Sequence, residues 1–292
     1  MLPSELIKQV RKIEIRTRRV VDEIIGGAYH SVFKGRGIEF DEVREYTPED
    51  DVRDIDWNVT ARMGTPYIKK YVEERELTVM LLVDVSASGA FGSGDKSKRE
   101  RAVETAALLA FSAIRNNDKV GLMLFTDQTE LYLPPRSGRT RGLRLIRELM
   151  AYEPKRKSTD INAVLKNTMQ VLHKRSVVFL ISDMIDNAGF EKSLKIVNRR
   201  HDLVAVRILD PLELAWPRGV SVMVEDAETG RNVAFDGSKN AGLEKFRHFA
   251  AGMHDSIKKS CDRAKVDIID IRCGEDYVKP LVTFFSNRKY RK

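Results

Sequence analysis

From Leu77 onwards, strand-length apolar segments alternate with segments of helical periodicity, and this alternation limits the fold more than any other sequence feature. Leu77–Val83 is continuously apolar, as expected of a strand buried on both faces of a sheet. Strands that alternate with helices form a mainly parallel sheet covered by helices, so we predict a Rossmann-like α/β domain. Further strands are predicted at Val120–Phe125, Glu130–Leu133, Val177–Ser182, Leu203–Leu209 and Val266–Ile271, helices at Lys98–Arg115, Arg139–Ala151, Ile161–Leu172, Phe190–Arg199, Asn240–Ala264 and Asp276–Phe285, and a hairpin at Val220–Glu225 and Asn232–Phe235.

Oxygen-bearing side chains follow the first of these strands directly. In the order Asp-Val-Ser-Ala-Ser, an extended turn would present Asp84, Ser86 and Ser88 on one side. Ligands of parallel α/β sheets bind at the carboxyl ends of the strands, and hard oxygen donors suit Mg²⁺. The alternative is that Asp84 caps the next helix while the serines bond to backbone amides.

Two later loops offer matching donors. Thr159 lies just before the helix predicted from Ile161, and Asp183 follows the strand Val177–Ser182. Each has a structural alternative, because Thr and Asp are common helix caps and Asp is a common turn residue. The combination favours a metal site, since the loops would present their donors to the same rim of the sheet.

Together these residues resemble the metal-ion-dependent adhesion site of von Willebrand factor A domains. The resemblance implies direct ligation by Ser86 and Ser88, a water-mediated contact from Asp84, and further ligands from Thr159 and Asp183. It also implies a von Willebrand factor A-like fold and a bound Mg²⁺, with Mn²⁺ or Ca²⁺ as alternatives. Such a metal keeps an open position, which an acidic side chain of a partner protein can fill.

A narrower resemblance covers roughly residues 30–285. Eight segments of this region are similar to the signature of the bacterial domain-of-unknown-function family 58. Members of that family are often encoded near MoxR-type AAA+ ATPases. The resemblance therefore implies such an ATPase as a partner. One departure, Gly89 where methionine is common, involves no proposed ligand. The matching segments are Gly37–Phe40, Arg44–Tyr46, Asp50–Arg53, Ile55–Trp57, Thr60–Arg62, Glu73–Glu76, Ile181–Asp183 and Asp226–Gly230.

The sequence patterns do not predict an enzyme. The five histidines form no His-Glu-x-x-His pattern, and the Gly-x-Ser-x-Gly elbow of serine hydrolases is absent. Gly89–Ser97 nearly matches a phosphate-binding loop, but Asp95 stands where that motif requires lysine. We therefore expect a metal-dependent protein-interaction adaptor. A metal-dependent hydrolase, whose turnover Asp84→Ala would abolish, is the competing class.

Residues 1–75 are predicted to form an extension packed on the main domain, 76–292. Ser4–Ile25 has the spacing of a helix with one modest apolar face, and residues 35–76 suggest short strands and loops.

An acidic strip within this extension surrounds Trp57. Asp54 and Asp56 imitate the opening of a calcium loop, but Val59 replaces its glycine and Thr65 its terminal acid. A salt-bridged surface is the plain alternative. We hypothesise that Asp54, Asp56 and Trp57 form part of a partner surface, with Trp57 as its apolar anchor.

The net charge of +8 is concentrated at the two ends of the chain, in residues 1–36 and Asn287–Lys292. Basic tails favour solubility and weak attraction to polyanions, so polyanion binding is a third alternative, but no stripe for specific nucleic-acid recognition is present. No apolar run reaches the roughly 18 residues of a membrane span, and Leu6–Val21 is too basic for a signal peptide. We expect a cytoplasmic protein in which Cys261 and Cys273 are reduced thiols.

Overall fold

The computed structural model describes residues 39–72, 76–186, 188–225, 230, 232–238 and 240–289. These residues fall into two compact units, one within Phe33–Glu76 and the other from Leu77 onwards. The predicted helix over Ser4–Ile25 and the last residues of the basic tail lie outside the described residues.

The smaller unit is an antiparallel pair of strands with a short helix between them. The strands are β1 (Glu39–Glu45) and β2 (Tyr67–Val72), and the helix is α1 (Trp57–Met63). A single 3₁₀ turn, Val52–Asp54, precedes the helix. The predicted strands are present, but α1 was not predicted, because its cap at Asp56 lies within a run of charged residues that shows no helical periodicity.

The larger unit contains a six-stranded sheet and a separate two-stranded hairpin. In the sheet every neighbouring pair is parallel except one antiparallel pair at the edge, which confirms the predicted mainly parallel α/β architecture. The strands of this unit are β3 (Thr78–Asp84), β4 (Lys119–Phe125), β5 (Thr129–Arg136), β6 (Val177–Ser182), β7 (Asp202–Leu209), β8 (Ser221–Glu225), β9 (Asn232–Asp236) and β10 (Asp267–Arg272). The order in the sheet is β10-β7-β6-β3-β4-β5, with β8 and β9 paired as the predicted hairpin.

The predicted helices are also found, with bounds that differ by zero to four residues. No helix of the described residues is long and apolar enough to cross a bilayer. Two short elements were missed, a 3₁₀ turn at Ala87–Ala90 and α6, because one turn is too short to show periodicity. The helices are α2 (Lys98–Arg115), α3 (Arg139–Ala151), α4 (Ile161–Val171), α5 (Glu191–Arg200), α6 (Pro211–Leu214), α7 (Asn240–Ala264) and α8 (Val278–Lys289).

The central strands are buried along nearly their whole length. In β3 every residue from Val79 to Val83 is at most 1% exposed, and β6 is buried throughout. Burial of large apolar side chains on both faces stabilises these strands by about 1.5–3 kcal/mol for each such residue. The sheet therefore gives a rigid base to the loops that leave its carboxyl edge.

The loop from β3 to α2 closes tightly on itself. The amide of Lys98 donates to the carbonyl of Phe91 at 2.9 Å, and Ser97 forms a capping box with Glu100 that starts α2. The amide of Ser93 donates to the Asp210 carboxylate at 2.8 Å. A carboxylate of the chain itself thus occupies part of the loop that nearly matched a phosphate-binding motif.

Gly92 permits this closure. A Cβ atom at Gly92 would lie 2.6 Å from Ser97 Cα and 2.8 Å from the Lys96 carbonyl oxygen, whereas one at Gly94 would meet nothing within 4 Å. We predict that Gly92→Ala lowers the free energy of unfolding by about 1–3 kcal/mol through overpacking, and that Gly94→Ala changes it by less than about 0.5 kcal/mol. Urea unfolding of both variants checks this, and equal effects would contradict it.

Candidate functional site

The carboxyl ends of β3 and β6 bring two aspartates to one edge of the sheet. The strands are parallel neighbours with Val83 opposite Ile181, so Asp84 at the end of β3 and Asp183 just after β6 reach the same rim. The two carboxylates are close enough for their charges to interact. The sheet topology therefore produces the convergence that the sequence predicted for this pair.

Asp84 is a buried carboxylate whose described partners are neutral. Its Oδ1 accepts from the Ser86 amide at 2.9 Å, and its Oδ2 accepts from the Ser182 hydroxyl at 2.7 Å. Burial raises the pKa of Asp84 to about 7, the Asp183 carboxylate adds to the rise, and the hydrogen bonds from Ser182 and Ser86 oppose it. Among the described residues no cation contacts this side chain.

The hydroxyls of Ser86 and Ser88 face each other, with their Oγ atoms 3.1 Å apart. The predicted extended turn is wrong beyond Ser86, because Ser86 precedes the 3₁₀ turn Ala87–Ala90 that contains Ser88. The tight turn brings the two hydroxyls to the same side by a different local geometry. Neither hydroxyl is used to cap the following helix, because Ser97 caps α2.

The loop that carries Thr159 is hydrogen-bonded to both other loops. The Ala87 amide donates to the Lys157 carbonyl at 2.9 Å, and the Ile161 amide donates to the Asp186 carboxylate at 2.9 Å. Asp160 caps α4 through the Ala163 amide, so the structural explanation offered for this segment applies to Asp160 rather than to Thr159. Thr159 itself is partly buried.

Asp183 has a cationic partner that the sequence did not reveal. Its Oδ1 accepts from the Ile185 amide at 3.1 Å, and its Oδ2 accepts from the Lys98 ammonium at 2.8 Å. The same ammonium donates to Glu213 Oε1 at 2.5 Å. Burial by itself lowers the pKa of Lys98, but the Asp183 and Glu213 carboxylates raise it above its ordinary value, so the lysine is charged. One sequence signal could have indicated this partner: a lysine in the first turn of a helix opposes the helix dipole, so Lys98 needs a nearby carboxylate.

A small cavity of about 20 Å³ lies at the centre of this site, between Asp84, Ser88, Lys98 and Asp183. That volume accommodates one water molecule or one ion. Arg99 also lines the cavity, but its guanidinium donates to the Tyr152 carbonyl.

The donor set around the cavity fits a hard divalent cation. It offers hydroxyl and carboxylate oxygens, the ligands that Mg²⁺ prefers, and the buried Asp84 carboxylate makes no ion pair with any described residue. Across the described chain no group of three His, Cys, Asp or Glu side chains could hold a metal ion. A cation here would therefore need hydroxyl ligands as well, and of the three predicted hydroxyl residues Ser88 lines the cavity, whereas Ser86 and Thr159 do not.

The predicted partner residues of the smaller unit differ in accessibility. Asp56 is 9% exposed and caps α1, accepting from the Asn58 and Val59 amides, so its carboxylate is engaged in local structure. Asp54 is exposed, and Trp57 is 66% exposed. Trp57 is therefore an accessible apolar side chain on a charged surface.

Comparison with solved structures finds similar folds at low sequence identity. The conserved hypothetical protein BatB from Bacteroides thetaiotaomicron is 14% identical, with a TM-score of 0.48, 74% of this chain covered and 100% of that chain. The SpRpn10 VWA domain is 15% identical, with a TM-score of 0.42, 72% of this chain covered and 95% of that domain.

Comparison of sequences finds relatives over almost the whole chain. The uncharacterized protein Rv1480 of Mycobacterium tuberculosis is 27% identical over 289 residues, which cover 98% of this chain and 90% of the relative. The family model described as "Protein of unknown function DUF58" matches residues 42–255. This match spans most of the chain, and the protein therefore belongs to the DUF58 family.

Proposed function

We propose that the protein is a metal-dependent protein-interaction adaptor that grips an acidic side chain of its partner through a divalent cation. The observation that supports this most directly is Asp84, a buried carboxylate beside Asp183 that has no cation against it among the described residues. A buried charge without a counter-charge is costly, so the site favours either a proton or a cation.

The residues proposed to hold the cation are the five predicted from the sequence, of which Asp84, Ser88 and Asp183 line the cavity. Ser86, Ser88 and Thr159 would contribute hydroxyl oxygens, and Asp84 and Asp183 would act mainly through water, as the family resemblance implies. When bound, a divalent cation with so few charged ligands would keep an open position for a carboxylate. Mg²⁺ is the proposed ion, with Mn²⁺ and Ca²⁺ as alternatives.

Binding is favoured over turnover because the described residues near the cavity provide no activated nucleophile. Ser182 donates to Asp84 and accepts from the Met184 amide, so its hydroxyl is engaged in structure. His201 precedes β7 and lies at the opposite end of the sheet from the rim. Burial raises the pKa of both Cys261 and Cys273 to about 11, which disfavours a thiolate.

The partner is proposed from the family resemblance and from surface chemistry. A MoxR-type AAA+ ATPase that presents an Asp or Glu is the first candidate, and it would deliver a client for assembly or remodelling. Exposed Trp57 would be an apolar anchor for the same or another partner, because buried aromatic residues contribute strongly to interfaces.

Polyanion binding is the second candidate function, favoured by an arginine cluster at β5 and α3. This cluster consists of five exposed residues, and Glu148 is the one acidic residue among positions 136–148. Glu148 pairs with Arg144 at 3.8 Å. The members of the cluster are Arg136, Arg139, Arg141, Arg144 and Arg147.

The adaptor proposal is tested by calorimetric titration of Mg²⁺ into the metal-free protein, with and without the candidate ATPase. We expect weak Mg²⁺ binding that tightens when the ATPase is present, because the two ligands are linked. Ser86→Ala/Ser88→Ala should lose both effects, since it removes two proposed ligands.

The matched control is Ser221→Ala/Ser238→Ala, which removes two exposed hydroxyls from the β8–β9 hairpin region and should titrate as the wild type does. Absence of Mg²⁺ binding under both conditions, or equal binding by the Ser86→Ala/Ser88→Ala variant, would contradict the proposal. Turnover of a phosphoester or peptide that Asp84→Ala abolishes would favour the hydrolase.

Mg²⁺ binding should depend on pH through Asp84. Because the pKa of Asp84 is raised to about 7 in the metal-free protein, its carboxylate must lose a proton before it can favour a cation. We predict that Mg²⁺ affinity is about tenfold lower at pH 6 than at pH 8. Titrations in buffers of different ionisation enthalpy should show proton release, and a flat affinity from pH 6 to pH 8 would contradict this.

The arginine cluster gives the second candidate its own test. Arg141→Glu/Arg147→Glu should reduce heparin binding by about tenfold or more, because it replaces two exposed positive charges by negative ones. Mg²⁺ binding should be unchanged. Heparin binding that is equal in the variant and the wild type would exclude this surface as the polyanion site.

A further inference from the structure

Lys98 is buried in a position that is unfavourable for an isolated cation. It is the first residue of α2, directly after the Ser97 cap, and its side chain is 3% exposed. A positive charge in the first turn opposes the helix dipole, and burial of an ammonium group is costly. Its two carboxylate partners, Asp183 and Glu213, therefore hold it there.

These two partners connect the rim of the sheet with α6. Asp183 is a proposed cation ligand, whereas Glu213 belongs to a capping box with Asp210 and accepts from the Asp210 amide at 3.1 Å. Glu213 is thus fixed by the backbone independently of Lys98. Lys98 lies between a fixed carboxylate outside the cavity and a carboxylate on the cavity wall.

The triad does not neutralise the site. One ammonium group serves both Asp183 and Glu213, while Asp84 has no cation against it among the described residues. The Lys98 ammonium therefore lies at the edge of a cavity whose wall carries two carboxylates, Asp84 and Asp183.

We propose that Lys98 is a tethered counter-cation that keeps the affinity of the site for free metal low, so that metal and the acidic partner bind together. This inference rests on the proposed function. The ammonium donates to one oxygen of Asp183 and would repel a divalent cation placed in the adjoining cavity. A carboxylate from a partner would offset that repulsion, which makes the binding of the two ligands cooperative.

The test is calorimetric titration of Mg²⁺ alone into three variants of the full chain. Lys98→Met should bind Mg²⁺ about tenfold or more tightly than the wild type, because the repulsion is removed. Lys98→Arg, which retains the charge, should stay near the wild-type affinity. Glu213→Gln should bind a few-fold more weakly, because Lys98 would then pair with Asp183 alone.

Glu104→Gln is the matched control, because Glu104 pairs with Lys96 and Arg101 and does not line the cavity. It should leave Mg²⁺ affinity unchanged. Thermal unfolding in EDTA shows which variants are folded, and if Lys98→Met is not, Glu213→Gln and Lys98→Arg still decide the question. A role in folding alone would make Lys98→Met bind Mg²⁺ less tightly, not more.

Different outcomes contradict the role of Lys98 and the proposed metal site. Weaker or unchanged Mg²⁺ binding by Lys98→Met, when the wild type binds, overturns the role of Lys98 and leaves the metal site in place. No binding by the wild type or any variant, with or without the ATPase, overturns the proposed function itself. Binding by Lys98→Met alone supports the counter-cation role and overturns metal dependence of the natural protein.

Discussion

The parallel pairing of β3 with β6 is the constraint on which the site depends. Since Val83 lies opposite Ile181, the chain leaves both strands at the same edge, and Asp84 and Asp183 must share that edge. The buried interior of both strands fixes this register, because a shift by one residue would exchange their faces. The closeness of these two negatively charged side chains follows from the pairing of the strands and not from a local motif.

Much of this could be predicted from the sequence, because buried parallel strands are continuous apolar runs and Asp84–Ser88 follows one of them directly. What was missed depends on contacts distant in sequence. Lys98 and Asp183 are 85 positions apart, and no pattern links them to Glu213. The helix α1 was missed for a local reason, because its cap and its closing glycine, Gly64 in the left-handed region, lie in a segment without helical periodicity.

We propose that the rim binds a cation, and the contacts of its polar groups support binding. Asp84 accepts hydrogen bonds from two neutral donors, the Ser86 amide and the Ser182 hydroxyl. The Lys98 ammonium donates to both Asp183 and Glu213, and the Ser86 and Ser88 hydroxyls contact each other. Each of these groups is therefore held in place by hydrogen bonds. A site of this kind can exchange a proton for a cation and then present that cation outward, which suits a reversible grip on an acidic side chain.

We propose that a divalent cation binds between the serine hydroxyls and the two aspartates. Crystals of the protein soaked in Mn²⁺ test it most directly, since anomalous diffraction locates the ion without assumptions about its ligands. We expect one peak at about 2.1 Å from the Ser86 and Ser88 hydroxyl oxygens. A fully occupied peak elsewhere, or no peak at the rim at saturating Mn²⁺, would contradict it.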